Sequence, residues 1–153
     1  MSTLMPQDLQ QQHSHDVEEG LVFRPKFDAS GLITCVATDA ASGDVLMVAF
    51  MNEEALQKTI ASGEAWYYSR SRKALWHKGE SSGHVQRVVE IRTDCDQDAI
   101  WIRVEQIGDA ACHTGRHSCF YRALSQGEDG AVKVSFVDAD QVFDPAAVYR
   151  KGE

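Results

Sequence analysis

No stretch of this chain stays apolar for the roughly 18 consecutive residues that suggest a membrane span. Its first twenty residues, MSTLMPQDLQQQHSHDVEEG, lack the basic start and apolar run of a secretory signal. A cytoplasmic location is therefore the expectation. Positive charge is also scarce: 15 Lys and Arg face 23 Asp and Glu, for a formal net charge of −8. That balance argues against generic binding to nucleic acid or an anionic membrane, but leaves room for an anionic small molecule in a locally basic pocket. Cysteine is sparse, with four in 153 residues, and none stands in a C-x-x-C pair. In a cytoplasmic chain such thiols are expected to be reduced and open to metal rather than paired as disulfides.

What is present fits one domain. The length suffices for a core of its own, and 43% hydrophobic with 25% charged residues are ordinary globular values. Residues 1–19, polar and Gln-rich, read as a flexible tail ahead of a single domain over 20–153. GLITCVATDAASGDVLMVAFM reads as two strands joined by a turn at Ala41–Asp44. NEEALQKTIASG reads as a short helix. Asn52 caps it, Glu53 and Glu54 suit the positive end of its dipole, and Gly63 suits its exit. Ala55, Leu56, Thr59 and Ile60 form its inward stripe. EAWYYSRS reads as a strand, RKALWHKGESSGHVQ as a structured loop, and RVVEIRTDCDQDAIWIRVEQIG as two strands around an acidic insert. DAACHTGRHSCFYRAL is a loop feeding a strand, and AVKVSFVD is one more. Many short strands with one or two short helices make a β-rich α+β domain.

The insert TDCDQDA places Asp94, Asp96 and Asp98 at alternate positions, with Cys95 between the first two. Three carboxylates this close repel one another unless a cation neutralises them. On an extended segment, side chains two apart point to one side. Three hard oxygens would then converge on a hard cation such as magnesium; an exposed acidic turn is the plainer alternative. An EF-hand loop is rejected, because its sixth position needs glycine and is Ala99, and its flanks are β-branched and aromatic.

Cys112 and Cys119 enclose HTGRHS, and with Cys95 they would supply three soft sulfur ligands. That number leaves a zinc ion one position for water; buried inert thiols are the alternative. Cys35, inside an apolar strand, reads as core. His113, beside Cys112 in a polar loop, is a candidate general base. His77, His84 and His117 read as surface or hydrogen-bonded histidines, and His13 and His15 fall in the tail. Between Trp66 and Val89 the charge balance reverses, with Arg70, Arg72, Lys73, Lys78 and Arg87 against Glu80 alone. Together with GESSG at 79–83, this is either a phosphate-binding patch or a solvated strand edge.

Taken in order, WYYSRSRKALWHKGESSGHVQ, TDCDQDA and CHTGRHSCFYR resemble the phosphoribosyl-AMP cyclohydrolases of histidine biosynthesis, and GDVLMVAFMNEEAL fits the family's first half. The blocks span a motif-bearing core over 31–125 and are highly specific together. The resemblance implies an intertwined homodimer with one zinc per subunit on Cys95, Cys112 and Cys119, the ligands shared between subunits. It also implies magnesium on Asp94, Asp96 and Asp98. The implied substrate is N1-(5-phosphoribosyl)-AMP: a zinc-generated hydroxide adds at C6 of the N1-ribosylated adenine and the N1–C6 bond opens. His113 would move protons, while Arg70, Arg72, Lys78 and, in the GESSG segment, Glu80, Ser82 and Gly83 would bind the substrate. No nucleic-acid or membrane partner is expected. Two readings compete. A zinc-dependent purine deaminase is one, although its H-x-E and P-C-x-x-C signatures are absent. The other is a non-enzymatic, metal-stabilised protein, which calls for a fourth protein ligand such as His113 or His117.

Overall fold

Alternation of apolar residues in ITCVATD and VLMVAFM builds the first hairpin, β1 (Ile33–Asp39) with β2 (Val45–Met51). Its turn is closed by the Asp39 carboxylate, which accepts hydrogen bonds from the backbone of Ala41 and Ser42. The computed structural model describes residues 17–138 and 140–148. The expected tail over 1–19 lies outside the described residues as far as residue 16, as do His13 and His15; Val17 is buried.

Helix α1 (Glu53–Ser62) follows, with the predicted ends: the Asn52 side chain accepts from the Ala55 N–H, and Gly63 takes the left-handed conformation at φ 74°. Ala55, Leu56 and Thr59 are buried as expected, but Ile60 is 55% exposed. The reason is Thr59. Its hydroxyl donates to the Ala55 carbonyl and accepts from the Trp66 N–H, which draws the start of β3 against the 55–59 edge and turns Ile60 outward.

Strand β3 (Trp66–Ser69) pairs with β4 (Ala74–His77), a strand within the segment expected to be a loop. Gly and Ser just beyond it masked four residues whose partner, Tyr67, is fully buried in the core. Strands β5 (Gln86–Thr93) and β6 (Ala99–Gln106) flank the acidic insert, and a 3-10 turn at Ile107–Asp109 leads into the cysteine loop. Strands β7 (Arg122–Gln126) and β8 (Val132–Phe136) form a separate hairpin before the short α2 (Pro145–Val148).

The main sheet has the order β2-β1-β6-β5. Strands β1 and β6 run parallel, Thr34 opposite Ala99 and Asp39 opposite Val104, while the outer pairs are antiparallel. This register sets the ends apart. The acidic connection at 94–98 lies where β1 begins, and the β1–β2 turn lies at the other end. One sheet face carries Cys35, Ala37, Ile100, Ile102 and Val104, buried against Leu46, Met51, α1 and Tyr67. Each fully buried aliphatic side chain there contributes roughly 1.5–3 kcal/mol. Cys35 is thus core, as read from the sequence, and burial pushes its thiol up to about 12. The fold is a small β-rich domain with few short helices. Among the described residues, no helix is long and apolar enough to cross a membrane.

Candidate active site

The acidic insert is a turn, not the extended segment expected. Asp94 N–H donates to the Ala99 carbonyl, and one Asp94 carboxylate oxygen accepts from the N–H groups of Asp98 and Ala99. Curling of the backbone, rather than strand alternation, brings one oxygen from each of Asp94, Asp96 and Asp98 within 4.8 Å of the others. Crowding has the anticipated electrostatic effect: hydrogen bonding to Asp96 and Asp94, together with their charge, pushes the Asp98 carboxyl up to about 6. A divalent cation would relieve this, and the all-oxygen donor set fits magnesium.

Sequence reasoning passed over the residue that holds this turn. Gln97 is buried with φ at 59°, a conformation few non-glycine residues adopt. Its side-chain Nε2 donates to the carbonyls of Val17 and Val22, and its Oε1 accepts from the Arg24 N–H at 2.6 Å. A glutamine among aspartates carries no sequence signal for such a role. Gln97→Ala is expected to cost about 2 kcal/mol from three lost bonds to backbone groups. Urea denaturation measures it; an unchanged midpoint would show that the anchor contributes nothing.

At the opposite end of the sheet, Cys119 N–H donates to the Leu46 carbonyl at 2.7 Å, and Ser118 Oγ donates to that of Val45. Cys112 sits in a tight loop closed by Cys112 N–H to the Arg116 carbonyl and Gly115 N–H to the Cys112 carbonyl. Gly115 has φ at 86°, and a Cβ there would lie 2.3 Å from the Phe143 carbonyl oxygen. The segment after residue 140 buttresses the loop again through Gln141 Nε2, which donates to the Thr114 carbonyl.

This construction brings the Cys112 and Cys119 sulfurs together. Partial burial pushes the Cys119 thiol up to about 12, and charge and hydrogen bonding at Cys112 act in the same direction, with Lys78 opposing them. Thr114 Oγ1 donates to the Cys112 sulfur at 3.0 Å. Two neighbouring sulfurs suit a soft cation, which deprotonates its thiol ligands outright. Cys95, however, is exposed in the acidic turn at the other end of the sheet. Among the described residues, no group of three metal-capable side chains includes a cysteine.

His117, a possible fourth ligand, is engaged elsewhere. Its Nδ1 lies 2.9 Å from an Asp109 carboxylate oxygen, and its Nε2 lies 3.5 and 3.7 Å from Asp44 and Asp39. Burial pulls its pKa down, but the Asp109 carbonyl and carboxylate and the Asp39 charge raise it overall. The imidazole thus ties the cysteine loop to the β1–β2 turn. His77 is likewise structural: it stacks on Trp66 and lies 3.3 Å from Glu64. His84 packs against Phe143.

Beside the two sulfurs opens a cavity of about 840 Å³, a size that suits a small-molecule site. Seven of the expected site residues line it: Arg70, Arg72, Lys78, Glu80, Ser82, His113 and Cys119. Arg70 lies over the Phe50 ring at 4.2 Å, and Arg72 Nε donates to Ser69 Oγ. His113 is exposed on the wall. Gly83 is not part of the lining; its N–H donates to the Gly79 carbonyl and closes the GESSG loop. Lys78 is buried, with its amine on the Ala111 carbonyl.

The family model described as phosphoribosyl-AMP cyclohydrolase matches residues 47–121, which include β3, β4, the acidic turn and both loop cysteines. A phosphoribosyl-AMP cyclohydrolase of Bradyrhizobium diazoefficiens is 75% identical over 139 residues, covering 91% of this chain and 98% of the relative. The chain belongs to the phosphoribosyl-AMP cyclohydrolase family. Phosphoribosyl-AMP cyclohydrolases of Nitrobacter hamburgensis and of Bradyrhizobium sp. strain ORS 278 are 75% and 72% identical, covering 88% and 86% of this chain and 91% and 100% of their own. Matches of this extent set aside the purine-deaminase reading. For a phosphoribosyl-AMP cyclohydrolase, whose substrate carries phosphate and purine groups, the basic hairpin tip and aromatic wall of the cavity are suitable surfaces.

Proposed function

We propose that this chain catalyses the reaction its relatives are named for, the hydrolytic ring opening of N1-(5-phosphoribosyl)-AMP. Water adds at C6, the N1–C6 bond breaks, and the oxygen remains on C6 as a carboxamide. One water proton ends on N1 and the other on the exocyclic nitrogen. The N1-ribosylated ring is already electrophilic at C6, so the barrier lies with neutral water as nucleophile.

Cys95, Cys112 and Cys119 would hold zinc, and Asp94, Asp96 and Asp98 magnesium. The chemistry a bound zinc ion supplies is Lewis acidity sufficient to ionise water near a pH of about 7. His113, on the wall with Cys119, would accept the proton of the attacking water and deliver one to N1. Arg70 and Arg72, on the loop joining β3 to β4, would take phosphate oxygens, with the planar fork of each guanidinium suited to two at once. Phe50, Tyr68 and Trp76 would receive the purine.

The observation that carries this reading is the convergence of Cys119, His113 and the basic hairpin tip on one cavity in a chain of this family. Completing the sulfur set calls for a second copy, because Cys95 and the Cys112–Cys119 pair stand at opposite ends of one sheet. The β7–β8 hairpin supports such an intertwined homodimer. It starts three residues after Cys119 and leaves Leu124, Val132, Val134 and Phe136 exposed on one face. A two-stranded hairpin with an uncovered apolar face is marginal in water. For the metal-stabilised structural reading His117 is engaged by carboxylates, which leaves His113 as its candidate fourth ligand.

Purified protein supplied with zinc, magnesium and N1-(5-phosphoribosyl)-AMP is expected to give the ring-opened carboxamide with no ammonia. Ammonia release would point to deamination, and no turnover at all would reject the enzyme reading. In the same assay, Asp96→Asn is expected to move the magnesium titration to higher concentration; an unmoved titration removes magnesium from the turn.

A further inference from the structure

Lys78 follows β4, and only 6% of its surface is exposed. Its Nζ donates to the Ala111 carbonyl at 2.6 Å and lies 5.3 Å from the Trp76 ring centroid. One carbonyl and one aromatic face do not balance a buried ammonium, which is strongly unfavourable without a counter-charge. Lys78 lines the cavity together with Cys119; burial disfavours its ammonium form and the charges of Cys119 and Cys112 favour it, while burial and then the Lys78 charge lower the pKa of His84. Moreover, the carbonyl it grips belongs to the residue directly before Cys112. Its amine is thus committed to the backbone beside the cysteine pair.

We infer that Lys78 is a positioning residue, whose hold on Ala111 keeps the Cys112 end of the loop in place for the metal and whose buried positive charge balances the filled sulfur site, and not a ligand for substrate phosphate. This rests on the zinc reading above and deepens it. Three thiolates and one zinc ion would sum to one net negative charge, which the buried ammonium would offset. By drawing on the sulfur charge, it also leaves the ion a stronger Lewis acid.

Three variants separate charge from hydrogen bonding. Lys78→Gln keeps a donor without charge, Lys78→Met loses both, and Lys78→Arg keeps the charge. The readouts are zinc affinity by competition with a chromophoric chelator, and the sulfur-to-metal charge-transfer band of the cobalt-substituted protein. Melting temperature reports folding; if Lys78→Met does not fold, the near-isosteric Lys78→Gln decides. The Gln and Met variants are expected to bind zinc at least about tenfold more weakly, with a weaker band per cobalt, and Arg to recover most of the affinity. A Gln variant with parental zinc affinity and only a raised KM would instead make Lys78 a substrate ligand and overturn the inference. An Arg variant as weak as Met would also overturn it. A parent chain without zinc affinity would refute the zinc reading itself, whereas parental affinity in the Gln variant refutes only the role of Lys78.

Discussion

Replacing Cys112 with alanine is expected to remove zinc and turnover together, with kcat/KM falling by at least about 10³-fold. The magnitude follows from the chemistry: Lewis-acid assistance is worth several kcal/mol, and about 1.4 kcal/mol is a factor of ten. The specificity follows from the structure. Cys112 is buried, its sulfur meets that of Cys119 and takes a hydrogen bond from Thr114, and its backbone closes the loop through Arg116. The backbone bonds survive the substitution, so the loop persists while a metal donor is lost. Cys35→Ala is the internal control: this thiol is equally buried but lies in the sheet core, away from the cavity. It is expected to lower stability and keep its zinc. Metal content and steady-state rates on both variants decide the matter. A zinc-free Cys112→Ala protein with parental turnover would end the metal mechanism.

The second large effect is recovery of activity from two inactive chains. If two copies share the site as proposed, the Cys95→Ala and Cys112→Ala proteins should each be inactive, yet mixing them after dissociation should restore about a quarter of the parental rate. The count follows from two-fold symmetry. Half of the reassorted dimers are mixed. Each mixed dimer joins Cys112 and Cys119 of one chain to Cys95 of the other, which gives one intact site of two. If one chain supplied all three sulfurs, no mixture would recover anything. The parallel β1–β6 pairing makes the exchange necessary on this reading, since it separates the 94–98 turn from the Cys119 end of the sheet. Rate against mixing ratio gives the answer, and a flat line at zero removes the shared site.

Much of the local structure was legible before folding was considered. Asn52 and Gly63 bound α1 as anticipated, and the turn before β2 falls where Ser42 and Gly43 announced it. What misled was any feature whose meaning depends on a distant neighbour. Ile60 looks like part of the inward stripe until Thr59 draws β3 against the helix. Leu75 and Trp76 look like loop until Tyr67 and Tyr68 pair with them. Lys78 lines the cavity, and only folding shows that its amine sits on the Ala111 carbonyl; Gln97 is silent until its side chain reaches Val17, Val22 and Arg24.

Residue order alone named three thiols and three carboxylates in a net-acidic chain as candidate donors, and it bounded α1 and the β1–β2 turn. Periodicity, capping and ligand hardness act over a few residues or belong to single side chains. Packing in three dimensions was needed to bring Cys112 and Cys119 together beside Lys78, to leave Cys95 at the far end of the sheet, and to open the cavity between the β3–β4 hairpin and the cysteine loop. Those facts rest on strand order and parallel register, which are set by contacts between residues dozens of positions apart, and no local pattern encodes them.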